Sequence, residues 1–219
     1  MFKRNWMVAA AAAVALPGCV TVADPGGVGA VSPRSVEEAV ALTPDHFKAS
    51  AKIDDDDLDV VANISTLGGM VKRQGLLGVV WNDNFLRALI DKKTGRITFQ
   101  VYQYINYEGD WRFYETVNYE TPDGPVQKRL IQISRDVLSC SGSRYSTGCS
   151  YSEHFAFEVD EALLRTIAAG YQPGAAVVWK FKFGAQRAED WNDAILPAEV
   201  AGFLQAVDEY RAASSTPTK

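Results

Sequence analysis

Between Leu58 and Gly184 the sequence alternates apolar and polar residues in separate short runs, and this period of two constrains the fold more than any other feature. The runs are LDVVANIS, NFLRALID, RITFQVYQYINY, WRFYETVNY, VQKRLIQIS, CSYSEHFAFEV and AVVWKFKFG. Alternation sends successive side chains to opposite faces, so each run reads as a strand with one face buried. KKTG, YEGDW and TPDGP separate most of the runs and read as turns. Strands joined by tight turns pair antiparallel, which predicts a meander or sandwich-like sheet of about seven strands.

Two segments in the C-terminal third switch to a helical period. Asp160 stands at the N-cap of EALLRTIAA, which stops at Gly170. A second helix begins with Pro197 at its first position and carries Val200, Phe203, Leu204 and Val207 as one apolar stripe. It ends near Arg211, and residues 213–219 read as a frayed tail. The expected fold class is α+β, one antiparallel domain over residues 58–212.

Strand registers follow from the turns. Centring the first hairpin on KKTG pairs Ile90 with Ile97, Ala88 with Phe99 and Leu86 with Val101. Centring a second on Gly109 pairs Ile105 with Phe113, Gln103 with Glu115, Val101 with Val117 and Phe99 with Tyr119. Extension through TPDGP pairs Phe113 with Ile131 and Glu115 with Arg129. The apolar face then carries a single polar rung of Gln103, Glu115 and Arg129. Buried charges must be paired, so the rung serves either as a structural ion pair or as the floor of a polar ligand pocket. The opposite face holds Tyr102, Tyr104 and Tyr114 among Asn106, Arg112 and Thr116. That set suits glycan or peptide binding, or a face covered by the two helices.

Catalytic groups are scarce. The chain has two histidines. His46 falls in an expected tether, and His154 shares a strand face with Ser150 and Ser152 while Glu153 points the other way. No nucleophile elbow, zinc-protease helix or phosphate loop is present in the sequence. Asp54–Asp57 lack the alternation and the turn glycine of a calcium loop, so they read as a solvated charge run. No metal and no cofactor is expected.

The N-terminus carries an address. Lys3 and Arg4 precede an Ala-rich apolar run that ends at Leu16-Pro17-Gly18-Cys19. Such a run is too short to span a bilayer, which needs about 20 residues, but it suits a secretory signal. Leu16, Gly18 and Cys19 resemble the lipobox of bacterial lipoproteins. The resemblance implies cleavage after residue 18 and lipid attachment at Cys19. A Cys of this kind carries about three acyl chains, enough for durable anchoring. Val20 follows where retained lipoproteins carry Asp, which implies the outer membrane, facing the periplasm.

Cleavage removes two of 22 bases and none of 27 acids, leaving a net charge of −7. That balance argues against nucleic acid as a partner. Residues 19–57 read as a lipid-anchored tether with a short helix opened by Ser35 and closed by Thr43-Pro44. With Cys19 lipidated, Cys140 and Cys149 remain as an even pair in an oxidising compartment, which predicts a disulfide closing a flexible SGSRYSTG loop.

Cys140, Gly148-Cys149, a helix ending at Gly170, a strand and AEVAGFLQAV somewhat resemble the C-terminal half of the invasion-associated locus B family, over roughly residues 138–208. The resemblance implies a non-enzymatic envelope protein. The expected function is therefore a non-catalytic, periplasm-facing envelope lipoprotein that binds or organises another envelope protein or a glycan. The alternative is a small periplasmic hydrolase using His154.

Overall fold

The structure is a computed structural model and describes residues 38–70, 82–143 and 146–214. The signal, the lipobox with Cys19 and most of the expected tether lie outside the described residues, as does the tail from 215 onward.

Helix α1 spans Pro44–Ser50, followed by strands β1 (Lys52–Asp54), β2 (Val61–Ser65), β3 (Asn82–Asp91), β4 (Ile97–Gly109) and β5 (Tyr114–Thr121). Then come β6 (Gly124–Arg129), β7 (Ile131–Ser143), β8 (Ser146–Glu158), α2 (Glu161–Ala169), β9 (Trp179–Ala185), β10 (Trp191–Ile195) and α3 (Pro197–Ser214). The α+β class holds, with all pairing antiparallel. The strands form two sheets, one ordered β1-β2-β3-β4-β8-β7 and the other β10-β9-β5-β6.

The core lies between the inner face of the larger sheet and a second layer made of the smaller sheet and the helices. Leu86, Ala88, Val101, Ile105, Phe155 and Phe157 are fully buried on the larger sheet. Phe155 meets Phe183 edge-on at 4.8 Å, and Tyr119 stacks on Phe157 at 5.5 Å. Val200, Phe203, Leu204 and Val207 of α3 are all buried, with Phe203 edge-on to Phe99 at 6.1 Å. The expected stripe of α3 is the buried one, and it faces the apolar side of the sheet.

The first hairpin has the expected register: Ile90 opposite Ile97, Ala88 opposite Phe99, Leu86 opposite Val101. The second does not form. β4 is taken by β8 from Gln100–Glu158 to Gly109–Cys149, and β5 pairs with β6 and β9 in the other sheet. After Gly109 the chain therefore crosses between sheets. VQKRLIQIS also divides: β6 ends at Arg129, Leu130 N–H donates to Glu115 C=O at 2.9 Å, and Ile131 then joins β8 opposite Ala156. Alternation persists through such a crossing, so the period alone does not reveal it.

Two expectations at the N-terminal end are corrected. Residues 44–54 are folded, not tether: Thr43 caps α1, and Phe47 packs fully buried against Leu196 and Ala198. Ala62 and Ile64 are buried as expected, but Leu58 and Val60 are 93% and 80% exposed because the strand starts only at Val61. β1 and β10 were not foreseen, being too short for a periodic signal.

Cys140 and Cys149 are directly opposite in the β7–β8 ladder and joined by a disulfide. The segment between them is not a free loop, since Ser141–Ser143 pair back onto Ser146–Gly148. Asp160 occupies the N-cap of α2 without a side-chain capping bond, and Gly170 is its C-cap.

Candidate functional site

The expected rung does not assemble. Gln103 faces the core and is fully buried, but its neighbours across the strands are Asn84 and Phe155. Glu115 and Arg129 are exposed in the other sheet, where Arg129 is opposite Thr116. A bulge between Tyr114 and Thr116 shifts the register by one residue and takes Glu115 out of line. Gln103 Oε1 is buried without a hydrogen-bond partner.

The buried charge is carried instead by Glu153, fully buried on the inner face of β8. Four donors converge on its carboxylate. Tyr107 Oη donates to Oε1 at 2.5 Å and Phe113 N–H to the same oxygen at 2.9 Å. Tyr114 N–H and Arg135 Nε donate to Oε2 at 3.2 and 3.0 Å. To turn its N–H inward, Phe113 adopts φ +53°, a left-handed conformation costly for an aromatic residue. Glu153 thus pins the crossing from β4 to β5 and ties it to edge strand β7 through Arg135. Burial, and then the bond to Glu153, push the Tyr107 hydroxyl far above its usual range. It remains a donor. Glu153 shares its strand face with Phe155 and Phe157, and an acid at an apolar position is a sequence signal for a buried partner. Nothing local says which partner.

The outer face of the larger sheet carries the tyrosines. Tyr102 and Tyr104 of β4 are half-buried there, and neither α2 nor α3 covers them, because both pack on the opposite face. Tyr114 is not part of this face: it sits in the core against Phe155. Arg112 and Thr116 likewise belong to the crossing and to the smaller sheet.

His154 lies opposite Tyr104, and its Nδ1 is 2.9 Å from the Tyr102 hydroxyl. Its ring stacks on Tyr104 at 5.6 Å. Phe85 stacks on Tyr102 at 4.7 Å, and the Arg87 guanidinium sits 4.8 Å from the same ring. Arg87 Nε also donates to Gln100 Oε1 at 2.9 Å. The rings brace one another, so the face presents ring edges, hydroxyls and an imidazole held in place.

Burial lowers the His154 pKa from its usual value, with Asp136 opposing, which favours the neutral imidazole. Burial, reinforced by Asp83, pushes the Tyr104 hydroxyl up to about 12. Among the described residues neither Ser150 nor Ser152 bonds to His154; Ser150 meets Ser139 at 3.4 Å. His46 is not in a tether: its Nε2 lies 2.7 Å from the Gly69 carbonyl and fastens α1 to the turn after β2.

The smaller sheet has its own outer feature, a shallow depression of about 200 Å³ between Asn118, Glu120, Pro125, Lys180, Lys182 and Asn192. Among the described residues no group of three or more His, Cys, Asp or Glu side chains is placed to hold a metal. No family model, no curated protein and no solved structure matches the chain.

Proposed function

We propose that this chain is a lipid-anchored protein of the bacterial cell envelope, attached through Cys19 at the outer membrane and facing the periplasm, that acts by binding rather than catalysis. The observation that carries the binding reading is the braced outer face of Arg87, Tyr102, Tyr104 and His154, which none of the described helices packs against. Side chains already braced against one another lose little rotamer freedom on contact with a partner. Tyr and Arg also supply large contact area with polar tips. Such a face fits another envelope protein or a glycan.

A photo-reactive residue at Tyr104 should form adducts in the native envelope that identify the partner, and Arg87→Ala with Tyr102→Ala should abolish them. Adducts unaffected by that double variant would remove this face from the reading. A second reading, a hydrolase with His154 as base, is favoured by the neutral imidazole. It requires a reacting group within about 3 Å in a substrate complex. An activity lost in His154→Ala and kept in Ser139→Ala would establish it.

A further inference from the structure

A cluster of arginines and aromatic rings lies where the two sheets part, on different residues from the outer face. Gln186 N–H donates to Phe113 C=O at 3.0 Å and Arg187 N–H to Arg112 C=O at 3.2 Å, so Arg112 and Arg187 are backbone neighbours. Both guanidiniums are held against rings. Arg112 lies 4.4 Å from the Tyr107 centroid, and its Nη1 donates to the Tyr114 hydroxyl at 3.3 Å. Arg187 lies 5.2 Å from the Phe113 centroid, and Arg135 lies 5.0 Å from that same ring.

The charges here do not balance. Arg135 has Glu153, but the four donors on Glu153 fill its oxygens and its side chain is fully buried. Asp190 is taken by Lys182 at 2.9 Å. Among the described residues, no carboxylate pairs with Arg112 or Arg187. Arg112 and Arg187 are therefore backbone neighbours, each stacked on a ring and neither paired with an acid among the described residues, in a chain whose net charge is −5. An anion arriving there meets two guanidiniums not already held by a carboxylate.

We propose that Arg112 and Arg187 bind a phosphate-type oxyanion, with Trp111 and Phe113 flanking it as an apolar seat. Guanidinium forks match phosphate oxygens bidentately, and cation–π contacts pre-position them. Trp111 stacks on Phe113 at 5.7 Å and touches Tyr151 at 4.4 Å, which holds that seat rigid. The ligand is then a phosphate group next to an apolar body or a free phosphoester.

The test uses the full chain with Cys19→Ala, so that no attached lipid interferes, and reads the arginine Nε–H signals by NMR. Inorganic phosphate should shift the Arg112 and Arg187 signals saturably at matched ionic strength, and Arg112→Gln with Arg187→Gln should weaken binding at least tenfold. Arg187→Lys keeps the charge at an exposed position and should weaken binding several-fold without changing the unfolding midpoint. Flotation with phosphatidylglycerol vesicles that exceeds flotation with phosphatidylcholine, and is lost in the double variant, supports the site with a lipid headgroup as source. Phosphate binding without vesicle binding supports it with a soluble phosphoester. Absence of both, or binding that the double variant retains, overturns the proposal.

Discussion

Glu153 is a lone acid on a strand face otherwise lined by Phe155 and Phe157, and its removal has a calculable consequence. Glu153→Ala leaves Arg135 without its partner, and the Tyr107 hydroxyl and the N–H groups of Phe113 and Tyr114 without an acceptor. Breaking a buried pair in this way costs about 3–5 kcal/mol, readable from urea unfolding. Glu153→Met with Arg135→Met should recover part of that loss, since the stranded charge is gone. A single variant as stable as the parent would show that the carboxylate does not hold the crossing. His154 gives a pH signature at the same scale. Its folded pKa is depressed below the ordinary value of 6.5, so the unfolded chain binds the proton more tightly. Stability should therefore fall as pH drops below about 6.5, and a fall absent from His154→Gln assigns it.

Helix packing provides tests at the scale of elements. A Cβ on Gly202 would lie 2.3 Å from the Pro44 carbonyl oxygen and 2.8 Å from Phe47 Cβ, so α1 rests directly on the backbone of α3. Gly202→Ala should force the helices apart at a cost of about 1–3 kcal/mol, with faster amide exchange in α1 as the specific readout. Arg211 and Arg165 hold the Glu161 carboxyl down at about 2, the Arg211 hydrogen bond being the largest cause, and join α2 to α3. A depressed carboxylate stabilises the fold above its unfolded value of 4.5 and loses that contribution as pH falls from there toward 2. The pair is about a third exposed, so screening limits each contact to under about 1 kcal/mol. Arg211→Gln should flatten acid unfolding over that window. α2 and α3 were readable because each brings its own caps and stripe. α1 was not, because Thr43-Pro44 signals a helix end as readily as a helix start.

For the whole molecule, the disulfide and the anchor are the separable terms. Cys140–Cys149 closes a ten-residue loop, for which chain entropy alone gives about 2.7 kcal/mol. Reduction should lower unfolding stability by about 2–3 kcal/mol, and mass mapping of thiol-blocked protein should find the two cysteines joined. Cys19→Ser should end lipid labelling and release the chain from membranes. Retention of a processed Cys19→Ser chain after a high-salt wash would refute the anchor, since such a wash screens electrostatic contacts with a membrane.

Local information was enough for much of this protein. Alternation identified most of the strands, the KKTG turn set the β3–β4 register, and the stripe of α3 named its buried residues. Cysteine parity identified the disulfide. Each of these depends on residues near one another in the chain. The partnering of strands across sheets does not. Whether β4 takes β5 or β8 is decided by competition among distant segments, and the choice of β8 dissolved the Gln103–Glu115–Arg129 rung. The same choice brought Glu153 to Arg135 and Phe113, put Arg112 beside Arg187, and left Tyr102, Tyr104 and His154 facing outward. A strand's period fixes which side chains share a face but not which strand lies beside it, so the sites arise only when the two sheets close over one core.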